Sequence, residues 1–156
     1  MAEETYQKLK QFYIENQVSF REIEHAPGAS AEEYHNALGC RYEQQLKCLL
    51  IKVYEQGKEY FIMVTIPANK RADFEKIKEM FHAKKVRGAT LDELRQVTGC
   101  EYGEVPPSGK LFSILLVLDK DFLSEQEVYM NAGVVDKSFV INPQDLVRVE
   151  EPIMLT

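Results

Sequence analysis

No stretch of this chain constrains its fold as strongly as LKCLLIKVYEQGKEYFIMVTIP, residues 46–67. An apolar run from about Leu46 to Tyr54 and a second from Tyr60 to Ile66 flank a turn at Gln56 and Gly57, which predicts an antiparallel hairpin. Apolar residues fill both alternating faces of the two runs, so both strands are expected to lie mostly buried.

Helical patterns precede and follow the hairpin. Tyr6, Leu9, Phe12 and Tyr13 recur at three- and four-residue spacing and predict an amphipathic helix from about Thr5 to Gln17. A short strand with alternating Val18, Phe20 and Ile23 follows, then the turn-rich link HAPGAS. Ser30 with Glu33 forms a capping box for a helix that runs through Leu38 and stops at Gly39. Thr90 with Glu93 forms another, for a helix ending at Thr98 before Gly99, and a basic helix is predicted between them from about Ala72 to Phe81. Farther on, LFSILLVL is too apolar for an edge strand, EVYMNAG and SFVI read as a second hairpin, and NPQDL as a short capped helical turn. A last strand is expected at about Val147 to Val149. Without a regular β-α alternation, the order predicts an α+β fold: one domain over residues 1–156, with helices packed around a mixed, mostly antiparallel, curved sheet.

At 156 residues and 45% hydrophobic, the chain is large enough for one core and too short for two. Its acidic start, MAEETYQKLK, has no apolar signal region, and no run reaches the length of a membrane span, so a soluble, cytosolic protein without a membrane partner is expected. Cys40, Cys48 and Cys100 are odd in number and lack C-x-x-C spacing, which predicts reduced thiols. His25, His35 and His82 are scattered, so neither a metal nor another cofactor is expected. The absence of G-x-x-x-x-G-K-[ST], of G-x-G-x-x-G after a strand and of G-x-S-x-G removes the commonest nucleotide and serine-hydrolase chemistries. A net charge of -6 argues against indiscriminate coating of nucleic acid. Yet the segment from Lys70 to Arg87 holds seven Lys/Arg against three Asp/Glu, a local +4 beside -10 in the remainder. That segment is either a solvated helix face or a docking site for phosphates.

The stretch GCEYGEVPPSGK, residues 99–110, has three glycines and two adjacent prolines, which neither extend a helix nor pair a strand inside a sheet. A helix cap accounts for Gly99 and leaves Gly103, Pro106 and Pro107 unexplained. With its surroundings, VRGATLDELRQVTGCEYGEVPPSG resembles the helix, loop and G-x-x-x-P motif of the YbaK/prolyl-tRNA synthetase-associated domain family, the motif falling on Gly103 to Pro107. LKCLLIK resembles that family's strand with its functional lysine, here Lys47, and VYMNAGVVDKSFVINPQDLVRV its closing segment. The ordered matches run from about His25 to Val149. Two features depart from the pattern: Ser108 stands where relatives often carry a larger apolar residue, and Lys52 is a second lysine on the same strand.

The resemblance implies a freestanding aminoacyl-tRNA deacylase of the type that edits tRNA-Pro, acting in trans on the acceptor end, with an aminoacyl-tRNA synthetase as a further partner. Hydrolysis of this activated ester needs an oriented water and a stabilised oxyanion, with no protein nucleophile. Lys47 would position the tRNA end, Gly103 would let the substrate approach the backbone, Pro107 would hold the loop rigid, and the ribose hydroxyl would assist the water. Glu104, Val105, Pro106 and Gly109 are expected to complete the loop's contact with substrate, His25, Asn131 and Gly133 to border the pocket, and Lys84, Lys85 and Arg87 to dock the tRNA. Each has a plainer reading: Lys47 as a lysine snorkelling from a strand end, Asn131 and Gly133 as an ordinary hairpin turn, Cys100 as a small buried hydrophobe. Competing functions are a catalytically silent module that binds an aminoacyl end or a synthetase, and a hydrolase of small esters or amides.

Overall fold

The computed structural model describes residues 2–27 and 30–156. The link predicted across HAPGAS includes positions 28 and 29, which lie outside the described residues.

The predicted hairpin forms, as β2 (Leu46–Glu55) and β3 (Lys58–Pro67), paired antiparallel from Leu46↔Pro67 to Glu55↔Lys58. It is the centre of a five-stranded sheet. On one side β4 (Lys85–Gly88) pairs antiparallel with β2, and on the other β5 (Leu115–Asp119) and β8 (Ile153–Leu155) follow in parallel, giving the order β4-β2-β3-β5-β8. A smaller antiparallel sheet, β1-β7-β6, is built from β1 (Phe20–Glu24), β6 (Val128–Asn131) and β7 (Lys137–Ile141). The Gln45–Tyr129 bridge links the two sheets.

Each face of β2 packs into a different layer. Leu49, Ile51 and Val53 face a core closed by Ile77 of α3 (Phe74–Met80), while Cys48 and Leu50 face one closed by Leu94 of α4 (Leu91–Thr98) together with Cys100 and Val105. The small sheet packs its Phe139 and Met130 against Tyr6, Leu9 and Tyr13 of α1 (Ala2–Glu15) and Leu146 of α5 (Pro143–Glu150). Both capping boxes are present, at Ser30/Glu33 for α2 (Ala31–Leu38) and at Thr90/Glu93 for α4, and Gly39 and Gly99 end these helices with φ of 70° and 71°.

Three local expectations are corrected. Val147 to Val149 is helical, not a strand: Asn142 caps α5, Pro143 occupies its first turn, and Leu146 and Val149 meet the core at helical spacing. The closing strand is β8, after Glu151 turns the chain at φ 49°. LFSILLVL begins inside a 3-10 turn, Lys110–Phe112, and only Leu115 onward is strand. The third correction divides the single predicted sheet into two.

Candidate functional site

The edge of β2 is only partly covered. β4 pairs with Ile51 to Tyr54, the Ala89 N–H donates to the Leu50 carbonyl at 2.9 Å, and the bridge to the small sheet begins at Gln45. Between these ties residues 46–49 have no strand neighbour on that side among the described residues. A cavity of about 200 Å³ opens at this gap, walled by Tyr34 of α2, Leu46 to Leu49 of β2, Asn131 of β6, and Tyr102, Gly103 and Val105 of the loop.

Lys47 and Lys52 are five residues apart on one strand and so project to opposite faces. Lys47 lines the cavity, and its Nζ donates to the Lys70 carbonyl at 2.6 Å. Burial pushes its pKa down, and the nearby Arg71 charge pushes the same way. Lys52 instead pairs with Glu59 at 3.1 Å and Glu93 at 3.7 Å, which raises its pKa. Lys70 is itself fixed, its ammonium reaching buried Asp119 at 3.0 Å and Asp121 at 2.5 Å, so the carbonyl that holds Lys47 sits on a clamped residue.

The loop is braced on both sides of its glycine turn. The Glu104 N–H donates to the Glu101 carbonyl at 3.1 Å, and with Gly103 at φ 83° this has the form of a type II turn, whose third residue needs the left-handed region. Glu104 returns a side-chain bond, accepting from the Glu101 N–H at 2.7 Å, and Glu101 in turn holds Arg95 through both carboxylate oxygens. The far end is anchored by buried Glu150, which accepts from Ser108 Oγ at 2.6 Å and from the Gly109 and Lys110 amides at 3.0 and 3.1 Å. Burial pushes the Glu150 carboxyl above its ordinary range, and these three donors pull it part of the way back. Between the braces, the backbone N–H groups of Gly103 and Val105 have no acceptor among the described residues, and both residues line the cavity.

The structure thus brings Lys47, Gly103, Val105 and Asn131 to one cavity. Neither end of the Asn131 amide is paired among the described residues, and its Oδ1 is buried. The other predicted residues stand outside. Glu104 serves the turn, while Pro106 and Pro107 are buried in the loop and do not line this cavity. Gly109 lies where a Cβ would come within 2.4 Å of the Ile114 carbonyl, and the Ser108 hydroxyl donates to Glu150. Gly133, at φ 90°, lets the chain pass the Tyr6 amide, which a Cβ would meet at 2.9 Å. His25 stands behind the wall: Nδ1 donates to the Ala26 carbonyl at 2.7 Å, which leaves Nε2 to accept from Ser138 Oγ at 2.8 Å, and Ser138 accepts from the Tyr34 hydroxyl at 2.8 Å. His25 therefore orders Tyr34, which does line the cavity.

Lys84, Lys85 and Arg87 lie toward the far end of β2, where Lys85 pairs with Tyr54, roughly 23 Å along the strand from Lys47. The Arg87 guanidinium is engaged by both oxygens of Glu93 at 2.7 and 2.9 Å, holding that carboxyl down at about 2. Sequence reasoning missed Tyr34, Gln45 and Tyr102 as cavity residues, since Tyr34 carries an ordinary core signal and Gln45 and Tyr102 carry none. Among the described residues no group of three His, Cys, Asp or Glu is placed to hold a metal, and no helix is long and apolar enough to cross a membrane.

Comparison with known proteins gives a consistent picture. The aminoacyl-tRNA editing domain model matches residues 25–149. The multifunctional Ser/Thr-tRNA deacylase ProXp-y of Escherichia coli K12 is 26% identical over 149 residues, 95% of this chain and 89% of that protein. The proline-tRNA ligase of Geobacillus sp. strain WCH70 is 31% identical over 110 residues, covering 69% of this chain but 19% of the ligase. The crystal structure of hypothetical protein APE2540 superposes with a TM-score of 0.84 at 25% identity, covering 94% of this chain and 96% of that one.

Proposed function

The chain belongs to the aminoacyl-tRNA editing domain family, and on that premise we propose that it hydrolyses the ester of misacylated tRNA in trans. The observation that carries this reading is the pair of unpaired amides at Gly103 and Val105, beside a lysine held at the same cavity. An oxyanion formed at the ester carbonyl would accept from these amides, which a braced turn presents without reorganisation. Lys47 gives one ammonium proton to the Lys70 carbonyl and keeps two for the ribose or phosphate of the acceptor end. Water is the nucleophile in this reading, activated with the help of the adjacent ribose hydroxyl. Among the described residues the only thiol lining this cavity is Cys48, which burial pushes up to about 12, so it stays protonated at neutral pH.

Two comparisons shape the substrate. The Escherichia coli deacylase matches over most of both chains, whereas the ligase match covers a small part of that protein, which favours action in trans over service as a synthetase insertion. The small, mainly apolar cavity with an unpaired Asn131 amide suits a short side chain carrying a hydroxyl, in line with the Ser/Thr in that relative's name. The test is a deacylation screen with tRNAs, tRNA-Pro among them, charged with serine, threonine, alanine and larger amino acids. Faster hydrolysis of the seryl or threonyl ester than of valyl and larger esters is expected. No hydrolysis above the spontaneous rate for any ester would refute the enzymatic reading.

A further inference from the structure

The Gly103 turn divides two cavities. Beyond it, a second space of about 130 Å³ continues along β2 from Cys48 to Ile51 and is closed by Phe74 of α3, Gly88 at the end of β4, Ala89 after it, and Leu94 of α4. Cys48, Leu49, Tyr102, Gly103 and Val105 line both cavities, so the partition between them is the same turn that carries the unpaired amides. The second cavity differs in chemistry: among the described residues no Lys, Arg, Asp, Glu or His lines it. Two aromatic side chains stand at it with much of their surface in solvent, Phe74 at 41% and Tyr102 at 60% exposed. At Gly88 a Cβ would meet no atom within 4 Å, so bare peptide borders open space there.

We propose that this second cavity binds the terminal purine base of the acceptor end, with Phe74 and Tyr102 as its stacking faces. The inference rests on the deacylase reading and follows from the shape of the substrate. The ester carbonyl joins the amino acid to a ribose, and the ribose carries the base on its other side. If the carbonyl lies at the Gly103 amide and the ester is extended, the amino acid and the base fall on opposite sides of that turn. The cavity with Lys47, Asn131 and Gln45 suits the polar aminoacyl group, and the uncharged one suits a flat π-system. Lys47 and Leu50, which stand one in each cavity, are roughly 10 Å apart along the strand, a span that a ribose covers together with its ester carbonyl on one side and its base on the other. Solvent-exposed aromatic faces of this kind stack on bases with little sequence discrimination, but purines, having the larger face, gain more.

The first arm of the test is binding, which needs no turnover. Adenosine 5′-monophosphate and cytidine 5′-monophosphate are titrated to millimolar concentration into the uniformly labelled protein and amide shifts followed by NMR. Shifts at Gly88, Ala89 and Tyr102 with the adenine nucleotide, at least severalfold weaker with the cytosine one and lost in Phe74→Ala, are expected. Shifts absent from these amides, or equal for the two nucleotides, overturn the proposal. The second arm compares deacylation of aminoacyl-tRNA whose terminal adenosine is retained or replaced by cytidine. Wild type should lose roughly tenfold in kcat/KM on the replacement, and Phe74→Ala should lose most of that preference. Equal rates on both ends overturn the base site and leave the deacylase reading standing, whereas specific adenine binding without any deacylation supports the site and refutes the deacylase reading.

Discussion

Glu150 offers the most quantitative test of how the loop is held. The residue is 4% exposed, and its carboxylate is the acceptor for three donors from residues 108–110. Glu150→Ala leaves the Ser108 hydroxyl and the Gly109 amide buried without an acceptor, while the Lys110 amide is near enough to solvent to find water. A buried unsatisfied donor costs about 1–3 kcal/mol, and these two, with the lost charge assistance, sum to about 3–5 kcal/mol. At about 2–4 °C per kcal/mol for a domain of this size, the melting temperature should fall by roughly 10 °C. Glu150→Gln behaves differently. Both amides bond the same oxygen, Oε1, which the glutamine retains, and its NH₂ can donate to Ser108 Oγ in place of the bond that Oε2 accepted. A loss of about 1 kcal/mol is expected. The two variants also separate by pH. Because burial raises the Glu150 pKa above its ordinary 4.5, its contribution is complete below that value and is lost as pH rises through the native one. The stability gap between wild type and Glu150→Gln should therefore narrow from pH 4 toward neutrality. Urea unfolding across that range is the assay. A Glu150→Ala loss below about 1 kcal/mol, equal losses for the two variants, or a gap that widens with pH would refute this account of the anchor.

Lys47→Ala should lower kcat/KM for deacylation about 10²-fold with an unchanged melting curve, and Lys52→Ala should leave turnover nearly intact while weakening the ties to Glu59 and Glu93. The reverse pattern would move the site to the other face of β2. Gly103→Val places a β-branched residue at φ 83°, a strain of about 1–3 kcal/mol, and should reduce turnover at least tenfold, whereas Cys100→Ala removes a fully buried thiol that lines neither cavity and should leave turnover unchanged. Steady-state rates alongside thermal melts distinguish the two. Lys84→Glu with Lys85→Glu should raise KM for aminoacyl-tRNA and flatten its salt dependence with kcat constant, leaving the Arg87–Glu93 pair in place; identical kinetics at two salt concentrations would make this segment a solvated surface.

What could be seen in the sequence was what is decided locally. The hairpin of residues 46–67 announces itself by two apolar runs around Gln56 and Gly57, and the helix starts at Ser30 and Thr90 by capping boxes that need only four residues each. What escaped was decided by distant partners. β4 is four residues at the end of a basic segment and becomes a strand only because the exposed edge of β2 accepts it. Val147 and Val149 favour a strand by their own propensity, but the Asn142 cap and the apolar face at Leu146 and Val149 override it. The role of Ser108 is set 42 residues away, where its hydroxyl donates to Glu150. Of the residues expected at the site, Lys47, Gly103, Val105 and Asn131 line one cavity, whereas Pro106 and Pro107 are packed into the loop away from it, a difference that three-dimensional packing decides.

The basic segment illustrates how charge counted along a chain differs from charge available to a ligand. Of its seven Lys/Arg residues, Lys70 and Arg87, at its two ends, are engaged by carboxylates outside it. Lys70 contributes through its backbone, since the Asp119 and Asp121 contacts fix the residue whose carbonyl receives Lys47 Nζ. Arg87, through Glu93, ties β4 to the start of α4 close to Leu94 in the second cavity wall. The two ends of the segment therefore frame the two cavities, and a phosphate would meet the intervening cations, Arg71 nearest Lys47 and Lys84 and Lys85 at the far end of β2. An acceptor end entering along the open edge of β2 would thus find fixed groups at the ester and freer lysines farther out, where contacts raise affinity without dictating the geometry of the reaction.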